Sequence, residues 1–271
     1  MHPGVWRGFV SELSKIAGQG EKRWESVIIE SPLASLTKKD VFNYYSEPRI
    51  RSAVLKDLAG REAVIRQNFT PEFVILKRKE GKNLIKIDQD RKEVDNPRDF
   101  SYYIERRTTE FHPVFKTTEP RVVVDLDPRP QFPFEETKRY AGQIADLLKS
   151  RFPGVTSTEI RYSGGRGFYV IGNLQKPVHV DKSRRMLKDL LAPLTEADER
   201  LTVGVPSTSE QMRLDISPLK RRGSVRGLYS LNANTGLVSV PVKDLAAFDP
   251  KKDATIEAVL GRKPREARHV R

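Results

Sequence analysis

The run Val122-Val123-Val124-Asp125-Leu126-Asp127 constrains this chain more than any other segment. Residues 121–127 read as a strand, stopped by Pro128-Arg129-Pro130. Along a strand, successive side chains point to opposite faces. Val122, Val124 and Leu126 then share one face, while Val123, Asp125 and Asp127 share the other. The two carboxylates stand side by side, roughly 6–7 Å apart at Cα by the strand rise. Such a pair repels itself unless a cation intervenes, and hard cations take oxygen ligands of this kind. Taken alone, the same pair also describes a solvent-facing strand end with two stray acids.

Met212-Arg213-Leu214-Asp215-Ile216 repeats the logic. Met212, Leu214 and Ile216 face one way, and Arg213 and Asp215 the other. Three acids so placed suit the two cations of phosphoryl or nucleotidyl transfer, which lie about 3.5–4 Å apart; singly, Asp215 is the outward residue of an amphipathic strand. Between these segments lies Ser163-Gly164-Gly165-Arg166-Gly167-Phe168-Tyr169. Its glycines permit unusual backbone angles and close approach, and its amides suit an anion-binding concavity. Ser163 and Arg166 add hydroxyl and guanidinium donors suited to a triphosphate. A Gly-rich hairpin is the plain alternative, and the pattern is neither a Walker A loop nor a Rossmann fingerprint. Further on, Lys220, Arg221, Arg222 and Arg226 crowd seven residues, followed by Tyr229 and Ser230. That mixture suits phosphate neutralisation with base or sugar contacts, and equally a solvated basic loop.

Composition bears on the partner. Lys and Arg number 49 and Asp and Glu 36 among 271 residues, a formal net charge of +13. A surplus of that size concentrates polyanions, nucleic acid first and anionic lipid second; a basic surface of no specific use is the bland reading. Cysteine is absent, which excludes a disulfide scaffold, a cysteine nucleophile and Cys-based zinc or iron–sulfur sites. Such a chain is at home in a cytosol. The four histidines, His2, His112, His179 and His269, lack metal-ligand spacing. No stretch approaches the ~20 apolar residues of a membrane span. Trp6, Phe9, Val10, Leu13 and Ile16 fall on one helical face, but Arg7, Glu12 and Lys15 interrupt it, so no signal-peptide core exists.

The remaining pattern indicates a mixed α/β fold. Thr37 and Asp40 approximate a capping box, and a helical pattern runs to Leu58, split by Pro48 and ended by Gly60. Residues 62–66, 73–76 and 84–88 read as strands, the last two as a hairpin turning at Glu80-Gly81-Lys82-Asn83. Residues 95–107 are polar and carry no assignment. Residues 135–152 read as a helix with Ala141, Ile144, Ala145 and Leu148 on one face, and residues 181–191 as a helix ending before Pro193. Residues 159–162, 168–171, 212–216 and 237–242 read as strands. The basic tail from Gly261 is expected to fray.

Together, Asp125-Leu126-Asp127, Ser163-Gly164-Gly165-Arg166-Gly167-Phe168-Tyr169 and Asp215 resemble the archaeo-eukaryotic primase superfamily. Its signature is an acidic D-x-D strand, then S-x-x-x-G-x-H, then a further acidic strand. The first half is similar to the polymerase domain of bacterial ligase D and its archaeal end-joining relatives. That likeness rests on Leu36-Thr37-Lys38-Lys39-Asp40 with Tyr44-Tyr45, on Leu58-Ala59-Gly60-Arg61-Glu62, and on Glu110-Phe111-His112-Pro113. Arg226, Ser230-Leu231 and Thr235-Gly236-Leu237-Val238 resemble the small catalytic subunit of archaeal primase. Tyr229-Ser230 and Val238-Ser239-Val240-Pro241 also suit the ligase D domain. The resemblance spans roughly residues 30–245. Tyr169 and Asn232 stand where the family has histidines, and the cysteine-containing zinc element of primase subunits is ruled out.

The resemblance implies two facing α/β halves around a catalytic cleft. It implies one catalytic domain over residues 1–271, with an N-terminal extension over about 1–35 and a basic tail over about 246–271. The activity implied is metal-dependent, template-directed nucleotidyl transfer to a nucleic-acid 3′-hydroxyl, in primer synthesis or in end joining and gap filling. Asp125, Asp127 and Asp215 would hold two Mg²⁺ or Mn²⁺ ions. Ser163, Gly164, Gly165 and Arg166 would cradle the triphosphate of an NTP or dNTP, with Tyr169 in the histidine's place. Arg226, Tyr229 and Ser230 would position the incoming nucleotide. Lys38, Lys39, Lys220, Arg221 and Arg222 would contact the DNA template or a 5′-phosphorylated end. A partner subunit or ligase, no membrane, and the cytoplasm of a prokaryote, an archaeon, complete the expectation. The reading of another class is a non-catalytic nucleic-acid-binding module descended from a polymerase, motivated by Tyr169.

Overall fold

A computed structural model describes residues 36–66, 74–79, 82–87, 90–93, 97–105, 108–206 and 208–262. The helical face expected over residues 6–16, the extension over 1–35, residues 80–81 of the expected hairpin turn and the fraying tail beyond Arg262 lie outside the described residues.

Helix α1 (Lys38–Ser46) opens on the capping box read from the sequence. Thr37 Oγ1 accepts from the Asp40 N–H at 3.2 Å, and the Thr37 N–H donates to the Asp40 carboxylate at 2.9 Å. Pro48 starts α2 (Pro48–Leu58), where its missing N–H costs nothing. Gly60, at φ +66°, makes the turn into β1 (Glu62–Arg66). Strands β2 (Val74–Lys79) and β3 (Lys82–Ile87) pair as a hairpin with Lys79 opposite Lys82. Strand β4 (Asp90–Glu93) follows, then α3 (Pro97–Glu105) and β5 (Glu110–Pro113). Three strands form one sheet in the order β4-β1-β5, with antiparallel pairing throughout. Helix α3 occupies part of the stretch left unassigned. Pro97 begins it, and Phe100 and Ile104 are buried one turn apart. Phe100, Phe111 of β5 and Tyr45 of α1 meet at ring-centroid distances of 4.9, 5.3 and 5.8 Å. Each such pair is worth ~0.5–1.5 kcal/mol beyond its burial.

The second half is built on β6 (Thr118–Pro128), α4 (Phe134–Arg151), β7 (Val155–Tyr162), β8 (Phe168–His179), α5 (Val180–Ala197), β9 (Leu201–Thr202), β10 (Met212–Asp215) and β11 (Val240–Pro241). These strands make a six-stranded sheet ordered β11-β7-β8-β6-β10-β9, antiparallel except for β9 beside β10. Two short helices, α6 (Pro250–Asp253) and α7 (Ile256–Val259), close the described chain. Helix α4 buries Ala141, Ile144, Ala145 and Leu148, the stripe read from the sequence, as it packs on the sheet. Lys138 on the same helix is itself buried. Its ammonium donates to the carbonyls of Ala246 and Phe248 at 2.8 and 3.3 Å, fastening the following loop.

Several elements differ from the sequence expectation: β7 starts earlier, at Val155, β8 runs on to His179, β3 takes up Lys82 and Asn83 of the expected turn, and three further departures have a visible cause. Helix α5 continues past Pro193 to Ala197, because Leu187 and Leu191 are buried, Leu194 packs on the core, and the Asp198 N–H caps it on Leu194. Packing there outweighs the hydrogen bond that proline removes. The strand expected over 237–242 shrinks to Val240–Pro241. Val238 and Ser239 instead donate to the carbonyls of Ala254 and Ser230, which belong to no strand. Strand β6 begins earlier than expected, and its pairing with β8 shifts between Glu119 and Arg121, around Pro120, which has no N–H to give.

The halves share one apolar core. The Tyr45 hydroxyl donates to the Thr109 carbonyl at 2.6 Å and accepts from the Leu231 N–H at 2.9 Å. The Tyr44 hydroxyl donates to the Tyr229 carbonyl at 2.8 Å.

Candidate active site

Strand β6 runs through the middle of the six-stranded sheet, and Val122, Val123, Val124 and Leu126 on it are buried. Asp125 and Asp127 emerge at its C-terminal end, Asp127 exposed and Asp125 half-buried. On one side, β10 sets Asp215 directly opposite Asp125 and Arg213 opposite Asp127. On the other, β8 sets Tyr169 opposite Asp125, and β7 sets Arg161 opposite Tyr169. Directly paired residues project to the same side, with Cβ atoms ~4.5–5.5 Å apart. One row across the sheet therefore reads Asp215, Asp125, Tyr169, Arg161.

Electrostatics follow from that row. Burial, then the charges of Asp127 and Asp215, push the Asp125 carboxyl up to about 8, against the opposing pull of Arg226 and Arg213. Asp215 Oδ1 accepts from the Ser217 N–H at 2.7 Å and lies 3.1 Å from the Arg213 guanidinium. Among the described residues, no group of three or more His, Cys, Asp or Glu side chains is arranged to hold a metal ion. The donor set nevertheless suits a hard divalent cation: three carboxylates crowd one sheet end, and Asp125 is costly to ionise without added positive charge.

The turn between β7 and β8 stands beside this row. Gly164 takes φ +78°. At Gly167 a Cβ would lie 1.7 Å from the Leu126 carbonyl oxygen, so the turn backbone rests directly on the strand between the two acids. Ser163 is buried and its hydroxyl accepts from the Gly165 N–H at 3.3 Å, while Arg166 is exposed. The Tyr169 hydroxyl is buried and accepts from the Arg226 N–H at 3.3 Å. Arg226 is buried too. Its guanidinium donates to the Ser163 carbonyl and pairs with Glu110 at 3.2 Å. Its Nε, like that of Arg213, is buried without a hydrogen-bond partner. Ser230 is fully buried and accepts from the Phe111 N–H at 2.8 Å. Tyr229, at φ +58°, holds a backbone conformation that side chains rarely adopt. Lys220, Arg221 and Arg222 are exposed in the turn after β10. Lys38 and Lys39 sit on another element, the first turn of α1.

Two largely buried carboxylates beside the site were not marked by the sequence reading. Glu110 on β5 is fully buried. It accepts from the Ala233 N–H at 2.6 Å, meets His112 Nε2 at 2.7 Å, and lies 3.4 Å from Arg66. Burial opposes its ionisation, but the bond to His112 and the charge of Arg226 outweigh it and hold the carboxyl well below the usual range. Asp57 on α2 accepts from the Leu228 N–H at 2.8 Å and lies 3.2 Å from Arg121 and 3.6 Å from Arg161. Burial raises its carboxyl, and the two arginines more than reverse that. A signal existed for Asp57: it shares the apolar stripe of Ile50, Val54 and Leu58, where an acid needs a partner. Glu110 lacked any such mark beyond its place in the Glu-Phe-His-Pro segment.

An acid-paired central strand in a six-stranded sheet, a glycine turn laid on it, and a second sheet with its helices packed alongside define a mixed α/β protein of the primase-polymerase class. The chain belongs to the family described as "LigD, primase-polymerase domain", which matches residues 37–269. Among solved structures it is similar to the polymerase domain of Mycobacterium tuberculosis ligase D, determined in complex with DNA. That likeness has a TM-score of 0.65 at 19% identity and covers 86% of this chain and 90% of that one. Against curated proteins the chain finds no match. No helix among the described residues is long and apolar enough to cross a membrane.

Proposed function

We propose that this chain is a metal-dependent, template-directed nucleotidyltransferase that extends a nucleic-acid 3′-hydroxyl in end joining or gap filling. The observation that carries the reading is the register placing Asp215 opposite Asp125 with Asp127 adjacent, beside a glycine turn. Membership of a family defined by a primase-polymerase domain supports it, as does a fold shared with a polymerase domain solved with DNA.

Asp125, Asp127 and Asp215 would hold Mg²⁺ or Mn²⁺, which when bound lowers the proton affinity of the 3′-hydroxyl and supports the leaving pyrophosphate. The chain's own groups do the rest. The turn at Ser163, Gly164, Gly165 and Arg166 presents amides and a guanidinium to the triphosphate of an NTP or dNTP. Arg226 ties that turn to Glu110. Tyr169 is a phenol and carries no positive charge at neutral pH, so phosphate neutralisation falls to the arginines. Lys38, Lys39 and Lys220 contact the nucleic acid. The DNA primer–template, with a 5′-phosphorylated downstream end, is the substrate, and a ligase is the expected partner in repair.

The test is incorporation of labelled nucleotides on gapped, primed and unprimed templates with Mg²⁺ or Mn²⁺. Extension is expected to improve with a downstream 5′-phosphate and to vanish in Asp125→Ala and Asp127→Ala. Product without a primer would move the activity to primer synthesis. No incorporation by the parent protein would leave a nucleic-acid-binding module.

A further inference from the structure

A cavity of about 670 Å³ lies apart from the carboxylate row, and Arg61, Glu62, Lys116, Arg221 and Arg222 are on its walls. Neither the acids of the row nor residues 163–166 line it. Three segments meet there: the approach to β1, the link between β5 and β6, and the turn that follows Asp215. The cations differ in commitment. Arg61 is forked onto the buried Glu119 carboxylate at 2.6 and 2.8 Å. Arg222 lies 3.7 Å from Glu62, both of them exposed. Lys116 and Arg221 have no ion-pair partner among the described residues. Four cations thus face two carboxylates, and the two uncompensated charges come from separate segments.

The walls are fixed before any ligand arrives. The Phe115 N–H donates to the Gly223 carbonyl at 2.7 Å, and the Gly223 N–H to the Lys220 carbonyl at 2.8 Å. A Cβ at Gly223 would lie 1.9 Å from the Pro218 carbonyl oxygen, so the turn is wound as tightly as glycine allows. Arg222 is held at φ +64°, a conformation that side chains rarely adopt and that its surroundings maintain. The Lys116 N–H donates to Glu119 at 2.5 Å, which anchors the base of that side chain.

We infer that this cavity is a second anion site, taking internal phosphodiesters of a nucleic-acid strand. Two unpaired cations brought by separate chain segments can each meet a different phosphate of one strand. The turn leads straight from Asp215, so a strand seated there runs on towards the carboxylate row. That last step rests on the polymerase reading; the binding itself does not.

The experiment is fluorescence anisotropy of the full chain with a labelled single-stranded oligonucleotide, in EDTA and without nucleotide. The double variant Lys116→Ala, Arg221→Ala alters two exposed side chains and is checked for unchanged circular dichroism. It is expected to bind about tenfold more weakly at low salt, and its slope of log K against log salt should flatten by about 1.4, roughly 0.7 per lost contact. The loss should be equal for 5′-phosphorylated and 5′-hydroxyl strands. Lys251→Ala, Lys252→Ala removes the same charge from α6 and should bind like the parent. An unchanged slope overturns the proposal. So does a loss confined to the 5′-phosphorylated strand, or one matched by the α6 variant. A parent that binds as expected but incorporates no nucleotide sinks the polymerase reading alone.

Discussion

Asp125 is a carboxylate whose surroundings oppose its own charge. A free aspartate ionises near 3.9, and here the carboxyl is pushed up to about 8. The folded state therefore holds a proton that the unfolded chain releases. Stability from this group is complete at low pH and declines as pH rises from about 4 to about 8. Without divalent ions, the thermal midpoint should fall over that window, and Mn²⁺ at pH 8 should restore it. Asp125→Asn should remove both effects and abolish incorporation; thermal unfolding with and without EDTA checks this. Glu110 presents the opposite case. Its ionised form is bound by Ala233, His112, Arg66 and Arg226, so Glu110→Ala strands several buried donors. Loss of one partner from a buried ion pair costs about 3–5 kcal/mol, to be read by urea unfolding. The sequence displayed Asp125, Asp127 and Asp215 because strand alternation sets each of them opposite an apolar face. It hid Glu110, whose meaning comes from partners more than a hundred positions away.

Elements were legible where local pattern and packing agree. Thr37 with Asp40, the stripe on α4 and the alternation on β6 each had one reading, and the chain adopts it. Where packing competes with local preference, the sequence misleads. Leu187, Leu191 and Leu194 carry α5 past Pro193, and residues 237–242 exchange most of a strand for bonds to loops. The turn between β7 and β8 shows why glycine spacing mattered there. At Gly167 a Cβ would lie 1.7 Å from the Leu126 carbonyl oxygen, so Gly167→Ala must move the turn or the strand between the two acids. It should cost about 1–3 kcal/mol, as overpacking does, and lower incorporation. Gly154→Ala, where a Cβ meets nothing within 4 Å, should cost about 1 kcal/mol from its left-handed backbone alone and leave incorporation intact. Denaturant melts of the two variants, set beside their rates, separate the effects.

At the scale of the molecule, the question is what keeps two sheets in register. Tyr45 joins them, with its hydroxyl bonded to Thr109 in one half and Leu231 in the other. Tyr45→Phe leaves both partners buried and unpaired, at about 1–3 kcal/mol each. A loss of stability without loss of cooperativity in the melt is expected, since one core spans both halves. The six-stranded sheet also has an outer boundary. Its border strands, β9 and β11, have two residues each, and β11 ends in Pro241, which has no N–H to offer. A border that short gives another chain almost no ladder to extend. The broad, half-apolar sheet that carries the acids is thereby shielded from edge-to-edge self-association, a hazard for a molecule that concentrates along a polyanion.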